Sequence, residues 1–178
     1  YIVLPESKIS KKPNALNMAE AAAFATAYTT AYVSLIRRGE MKSDDVVLIH
    51  GSSGGVGMAA VQLAKMFGNT VIATGTSDEK LKIVKSWGAD FILNTLKDGV
   101  TSFREEVKDL TDGKGADVIY DPVGGDVFDE SIRCINWNGR LLIVGFTSGR
   151  LPSLPVNIAL IKGCLLYTSP SPRDSDQS

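Results

Sequence analysis

Val46-Val47-Leu48-Ile49 is an apolar strand that leads directly into Gly51-Ser52-Ser53-Gly54-Gly55-Val56-Gly57, a turn almost without side chains. Met58 to Phe67 then continues at helical spacing. This succession admits few folds. Glycines let the main chain approach a phosphate, while the unpaired N–H groups of a helix's first turn and its dipole attract the anion. The ligand so predicted is a dinucleotide. Gly51, Gly54 and Gly57 stand three apart, unlike the usual G-x-G-x-x-G, and glycines alone would signal only a tight turn. The flanking strand and helix carry the reading. No Lys-Ser/Thr pair follows, so a P-loop is excluded.

The rest of the chain repeats the alternation of strand and helix. Asn17 and Glu20 have capping-box spacing, and an Ala-rich helix follows to Arg38, closed by Gly39. Strands are predicted at 45–50, 70–74, 90–94, 117–121 and 140–144. Helices are predicted at 54–67, from a Ser77 cap to Trp87, from a Ser102/Glu105 box to Leu110, and at 127–135. Leu81, Val84 and Trp87 form the apolar stripe of the Ser77 helix. Nearly continuous apolar strands between amphipathic helices require a parallel sheet covered on both faces. The fold class is therefore α/β, a doubly wound Rossmann-type sheet. Ligand-facing loops in such a sheet follow Ile49, Ala73, Leu93, Asp121 and Val144.

Composition excludes other classes. Nineteen basic and twenty acidic residues give a net charge of -1, with no basic field for nucleic acid. No apolar run approaches the ~20 residues of a membrane helix, and Tyr1 to Pro5 lacks the features of a signal peptide. Two distant cysteines form neither a disulfide framework nor a zinc knuckle, so a cytoplasmic, reducing compartment is expected. Cys164 to Asp174 changes character abruptly and resembles the translation of a sequencing-library adapter. The expected organisation is a remnant or linker at 1–16 from an upstream catalytic domain, a cofactor domain at 17–163, and a non-native tail at 164–178.

Several segments together resemble the zinc-independent quinone oxidoreductase branch of the medium-chain dehydrogenase/reductase superfamily. They are Thr29-Thr30-Ala31-Tyr32, His50 to Gly57, Ser77-Asp78-Glu79-Lys80, Trp87-Gly88-Ala89-Asp90, Asp121-Pro122-Val123-Gly124-Gly125 and Gly139 to Phe146. The resemblance spans residues 1–163 and implies NADPH-dependent hydride transfer to a quinone or an activated alkene such as an enone. It also implies a cleft between the cofactor domain and an N-terminal catalytic domain, and it leaves room for a homodimer of the full-length protein. Gly54, Gly55, Val56 and Gly57 resemble the pyrophosphate loop. Ser77 and Lys80, beside the neutral tip at Thr76, resemble a 2′-phosphate clamp. Asn94 falls where the family's Asn-Tyr pair completes that clamp, with Thr95 replacing the Tyr. Val123 and Gly124 resemble the loop beside the riboses, and Gly145, Phe146 and Thr147 the loop lining the nicotinamide. Thr30 falls near the nicotinamide-facing helix position. Gly51 stands where Ala is common.

NADP is favoured over NAD, because the strand tip lacks the acidic residue that grips a ribose in NAD sites. Asp78, first in a capped helix, is expected to point to solvent and serve the dipole. No catalytic residue is assigned, since the cofactor carries the chemistry and the protein supplies position and dryness. A catalytic zinc needs three protein ligands, and the window Glu20 to Tyr32 has no Cys or His, so no metal is expected. His50, the single histidine, reads as a spacer satisfying backbone groups. Cys134 reads as a small buried hydrophobe, and Tyr28 and Tyr32 as core packing. The alternative is a nucleotide-binding structural or nucleic-acid-associated relative without turnover.

Overall fold

In the computed structural model, which describes residues 2–97 and 99–168, six parallel strands form one sheet. They are β1 (Val46–Ile49), β2 (Thr70–Gly75), β3 (Phe91–Asn94), β6 (Ala116–Asp121), β7 (Ile135–Ile143) and β8 (Leu165–Thr168), in spatial order β3-β2-β1-β6-β7-β8. The order reverses between β1 and β6, so the loops leaving these two neighbours part to opposite sides and open a crevice. A two-stranded hairpin, β4 (Leu96–Lys97) and β5 (Val100–Thr101), lies apart from the sheet. The helices are α1 (Met18–Tyr32), α2 (Gly55–Met66), α3 (Asp78–Ser86), α4 (Arg104–Asp109), α5 (Gly125–Ser131) and α6 (Val156–Lys162).

Side-chain alternation along the strands divides the core in two. Val47, Ile49, Val71, Ala73, Val118 and Tyr120 face a cluster completed by Ala31 of α1, Ala60 and Ala64 of α2 and Val84 of α3. Leu48, Ile72, Ile119 and Leu141 face the other, with Phe103, Val107, Phe128 and Ile132. Helices thus cover both faces, as the continuous apolar strands require. Among the described residues no helix is long and apolar enough to cross a membrane.

The Asn17–Glu20 capping box forms in both directions, at 2.9 and 2.8 Å. The helix it starts passes into a π-helical stretch at Val33–Arg38, closed by Gly39 N–H on Ser34 O. The Ser102/Glu105 box does not form. Phe103 occupies the cap without a side-chain bond, Ser102 N–H is drawn to Thr95 O, and Glu105 turns to Arg104. Residues 132–135 are not helical either: α5 ends at Ser131, and β7 begins at Ile135, passing through a left-handed Asn138. Trp87 leaves the apolar stripe and is 57% exposed, because α3 ends one residue earlier and its backbone turns there. Leu165–Thr168, set outside the fold by their composition, pair in parallel with Arg140–Ile143 as the edge strand. Residues 169–178 of the expected tail lie outside the described residues.

Candidate functional site

The loop after β1 is built by two close approaches. Gly51 adopts a left-handed φ of 54°, and Gly57 packs against it so tightly that a Cβ there would lie 2.3 Å from Gly51 O. Gly55 is the opposite case, since a Cβ there would meet nothing within 4 Å. Gly54 caps α2 without any side-chain bond, and the first bond into the helix is Met58 N–H to Gly54 O at 2.8 Å. The N–H groups of Gly55, Val56 and Gly57 therefore have no partner inside the helix, and the helix presents its positive end uncapped.

Two cavities meet at this turn. One, of about 230 Å³, is walled by Gly51 and Ser53 on one side and by Thr74, Gly75, Thr76 and Thr95 on the other, with Val123 at its edge. The second, of about 560 Å³, lies between the turn and α1, against Gly54, Gly55, Val56, Thr26 and Pro122. Thr147 borders both. Together they form a groove across the crevice between β1 and β6, with the bare helix start at its centre. A pyrophosphate fits that centre, because the open position at Gly55 and the free N–H groups coincide there.

The loops after β6 and β7 are fastened to one another. Thr147 N–H bonds Pro122 O at 3.1 Å and Ser148 N–H bonds Val123 O at 3.0 Å. A Cβ on Gly124, whose φ is 69°, would meet Phe146 Cδ1 at 3.0 Å. Val123, Gly124, Gly145, Phe146 and Thr147 are thus brought together as one wall. Arg150 secures its far end by pairing with Asp126 at 2.9 Å and with Asp129. Asp121 shapes the near end: its Oδ1 accepts Val123 and Gly124 N–H at 2.8 and 2.9 Å, while its buried Oδ2 has no hydrogen-bond partner among the described residues.

At the end of β2, Ser77 caps α3 by accepting Lys80 N–H at 3.4 Å, and Thr76 lines the smaller cavity. Asp78 is exposed in the first turn of α3, as expected, and its Oδ1 also accepts Asn94 Nδ2–H at 2.7 Å. Asn94 is consequently turned to α3, and its neighbour Thr95 takes the place in the cavity wall. Thr30 lines neither cavity. Thr26, one turn earlier on the same helix, does. Sequence reasoning missed Thr26, Ser53 and Thr95, since small hydroxyl residues carry no signal until the packing of their element is fixed.

His50 is fully buried beneath the smaller cavity, with Nδ1 2.7 Å from Thr74 Oγ1 and Nε2 2.7 Å from Ser131 Oγ. Ser131 Oγ donates its own hydrogen to Val127 O at 2.7 Å, so it accepts from Nε2–H. Thr74 then donates to Nδ1, which makes the ring a neutral Nε2–H tautomer. Its partners are side-chain hydroxyls, not the backbone groups expected. Burial pushes its pKa down to about 4, against a smaller opposing pull from Asp121. Cys134 is buried as expected, and burial raises its thiol to about 12. Tyr28 is half-buried, stacked on Phe24 at 4.6 Å and bonded through its hydroxyl to Gln62. Tyr32 is 45% exposed in an apolar groove between α1 and α2, so it is not core. Among the described residues no three His, Cys, Asp or Glu side chains gather as a metal-ligand set. His50 is closed between two hydroxyls, and Cys134 Sγ lies 3.5 Å from Ser131 O, so these residues do not fit a catalytic zinc.

The zinc-binding dehydrogenase family matches residues 55–175, from the third glycine of the turn to beyond β8. The chain is 41% identical over 163 residues to a quinone oxidoreductase-like protein 2 homolog of Nematostella vectensis, covering 91% of this chain and 44% of that protein. This chain belongs to the medium-chain dehydrogenase/reductase superfamily. Among solved members of the superfamily, a mycobacterial protein complexed with NADPH superposes with a TM-score of 0.85 at 32% identity, covering 94% of this chain and 51% of that one. An NAD-dependent alcohol dehydrogenase superposes with a TM-score of 0.88 at 34% identity, covering 99% and 50%. The chain spans about half the length of the relatives it matches. The sheet order is that of a doubly wound dinucleotide-binding domain.

Proposed function

We propose that this chain is the cofactor-binding part of an NADPH-dependent oxidoreductase that transfers hydride to a quinone or an activated alkene without a catalytic zinc. The observation that carries the reading is the meeting of two cavities at the uncapped start of α2. Gly54, Gly55, Val56 and Gly57 would hold the pyrophosphate by main-chain N–H groups. Thr76, Ser77 and Lys80 would hold the ribose phosphate at one end, with Lys80 supplying charge. Val123, Gly124, Gly145, Phe146 and Thr147 would line the other end, where Phe146, 43% exposed, offers an apolar surface. Reduced nicotinamide bound there supplies the hydride. The chain's own task is to hold that ring in one orientation and to keep water from it.

NADP is preferred in this reading because no acidic side chain lines the β2 end of the smaller cavity. Absence of zinc chemistry is supported by the closed environment of His50. Titration with NADPH, followed by nicotinamide fluorescence, tests the binding reading, and bulky replacements at Gly54 and Gly55 must abolish the signal. NADPH oxidation with 1,4-benzoquinone and with a 2-alkenal then tests the reaction. Tight NADPH binding with turnover of neither acceptor would favour a nucleotide-binding structural role instead.

A further inference from the structure

Asn94 ends β3 with both sides of its amide engaged. Its Oδ1 accepts Leu96 N–H at 3.0 Å, which fixes the amide's orientation and directs Nδ2 to Asp78 Oδ1 at 2.7 Å. Asp78 is the first residue of α3, in the same turn as the Ser77 cap and Lys80. Neither Asp78 nor Asn94 lines the smaller cavity, whose walls at this end are Thr74, Gly75, Thr76 and Thr95. Lys80 Nζ has no side-chain partner among the described residues. A short carboxylate at the head of α3, if free, could swing toward the cavity mouth and repel a dianionic phosphate there. The bond to Asn94 instead directs it toward the end of β3.

We propose that Asn94 is a positioning residue for cofactor selectivity, tethering the Asp78 carboxylate to the end of β3 so that Lys80 sets the charge of the ribose rim. The inference rests on the NADPH reading above. It assigns to Asn94 an indirect role: it acts on the cofactor through Asp78 and touches no phosphate itself. The tether also accounts for how an acidic residue is tolerated beside a site that favours a phosphate.

The test compares dissociation constants for NADPH and NADH, read by nicotinamide fluorescence, in the wild type and in Asn94→Ala, Asp78→Asn and the double variant. Asn94→Ala lowers the preference for NADPH about fivefold, the scale of one exposed charge interaction, and added salt shrinks that loss. The double variant recovers the wild-type preference, since no charge is left to swing. Asp78→Asn alone stays within about twofold of wild type, because the carboxylate is already held aside. An unchanged preference in Asn94→Ala, or a loss that persists in the double variant, overturns the tether. So does a tenfold gain of preference in Asp78→Asn, which would place the carboxylate against the phosphate from the start. A wild type that binds NADH as tightly as NADPH overturns the cofactor reading itself, independently of what the variants do.

Discussion

Gly57 stands so close to Gly51 that the missing side chain is what lets α2 meet β1; a methyl group on Gly57 would lie 2.3 Å from Gly51 O and 2.8 Å from Ser52 Cα. Gly55, two residues earlier, faces open space. One glycine is required by the fold, and the other is assigned to the ligand in the proposed reading. Gly57→Ala should therefore destabilise the protein by about 3 kcal/mol, the upper range for overpacking against backbone. Gly55→Ala should stabilise it slightly, by up to about 1 kcal/mol, since its φ is not left-handed and Ala is the better helix former. The same Gly55→Ala should weaken NADPH binding at least about tenfold, because its methyl group enters the space left for the pyrophosphate. Urea unfolding and fluorescence titration of the two variants separate these effects. Equal stability losses from both substitutions would contradict the division.

The neutral His50 makes stability depend on acid. Its pKa falls from 6.5 in the unfolded chain to about 4 in the fold, so between those values the unfolded state binds more protons. The contribution is complete above about pH 6.5, is lost as pH drops toward 4, and is flat below. Over the window this amounts to roughly 3 kcal/mol. Asp121, the charged neighbour, opposes the shift and limits its size. Urea midpoints of the wild type should fall between about pH 7 and pH 4.5 by more than those of His50→Gln, which lacks the titrating ring. Parallel losses in the two proteins would mean that other groups carry the acid sensitivity.

Much of this was legible in the residues, for identifiable reasons. The strands announced themselves because burial on both faces leaves no polar alternation, and Asn17 and Ser77 were readable because capping is local chemistry. What escaped reading was set by contacts distant in sequence. The Ser102/Glu105 box has correct spacing, yet Ser102 N–H is claimed by Thr95, and the helix begins later. Leu165–Thr168 gave no strand signal apart from their neighbours, and they are ordered by pairing with β7. At the site, glycines marked the turn into α2 because close approach of backbone to backbone demands them. Thr26 rather than Thr30 could be found only once α1 was rotated onto its neighbours. The bond from Asn94 to the exposed Asp78 escaped reading because the two lie sixteen residues apart.

Asp45 and Arg140 join the segment before β1 to β7. Arg140 donates through Nε to Gly39 O at 2.9 Å and through its terminal nitrogen to Asp45, whose Oδ2 also accepts Lys42 N–H at 2.8 Å. The side chains are only 16% and 9% exposed, so removal of one partner leaves a largely buried charge. Asp45→Ala should cost about 3 kcal/mol at neutral pH. The double replacement with Arg140→Leu should cost less than the sum of the two single changes. Denaturant unfolding of the cycle checks this. Additive losses would show that the pair acts as two independent anchors.

Lys80 offers the most direct test of cofactor choice. Lys80 is exposed in the first turn of α3, which follows the Thr76–Ser77 rim in the chain, and is unengaged by any side chain among the described residues. A 2′-phosphate placed at that rim would gain from the cation and be repelled by an anion, whereas a ribose hydroxyl would feel either weakly. Lys80→Glu should thus raise the dissociation constant for NADPH by at least about tenfold and leave that for NADH within about twofold. Because the site is open to solvent, the difference should narrow as salt shortens the screening length. Fluorescence titrations at low and high ionic strength supply both readings. Equal weakening of the two nucleotides would mean that Lys80 faces away from the ribose, and that phosphate recognition, if the chain performs it, must come from Ser77 and the neighbouring main chain.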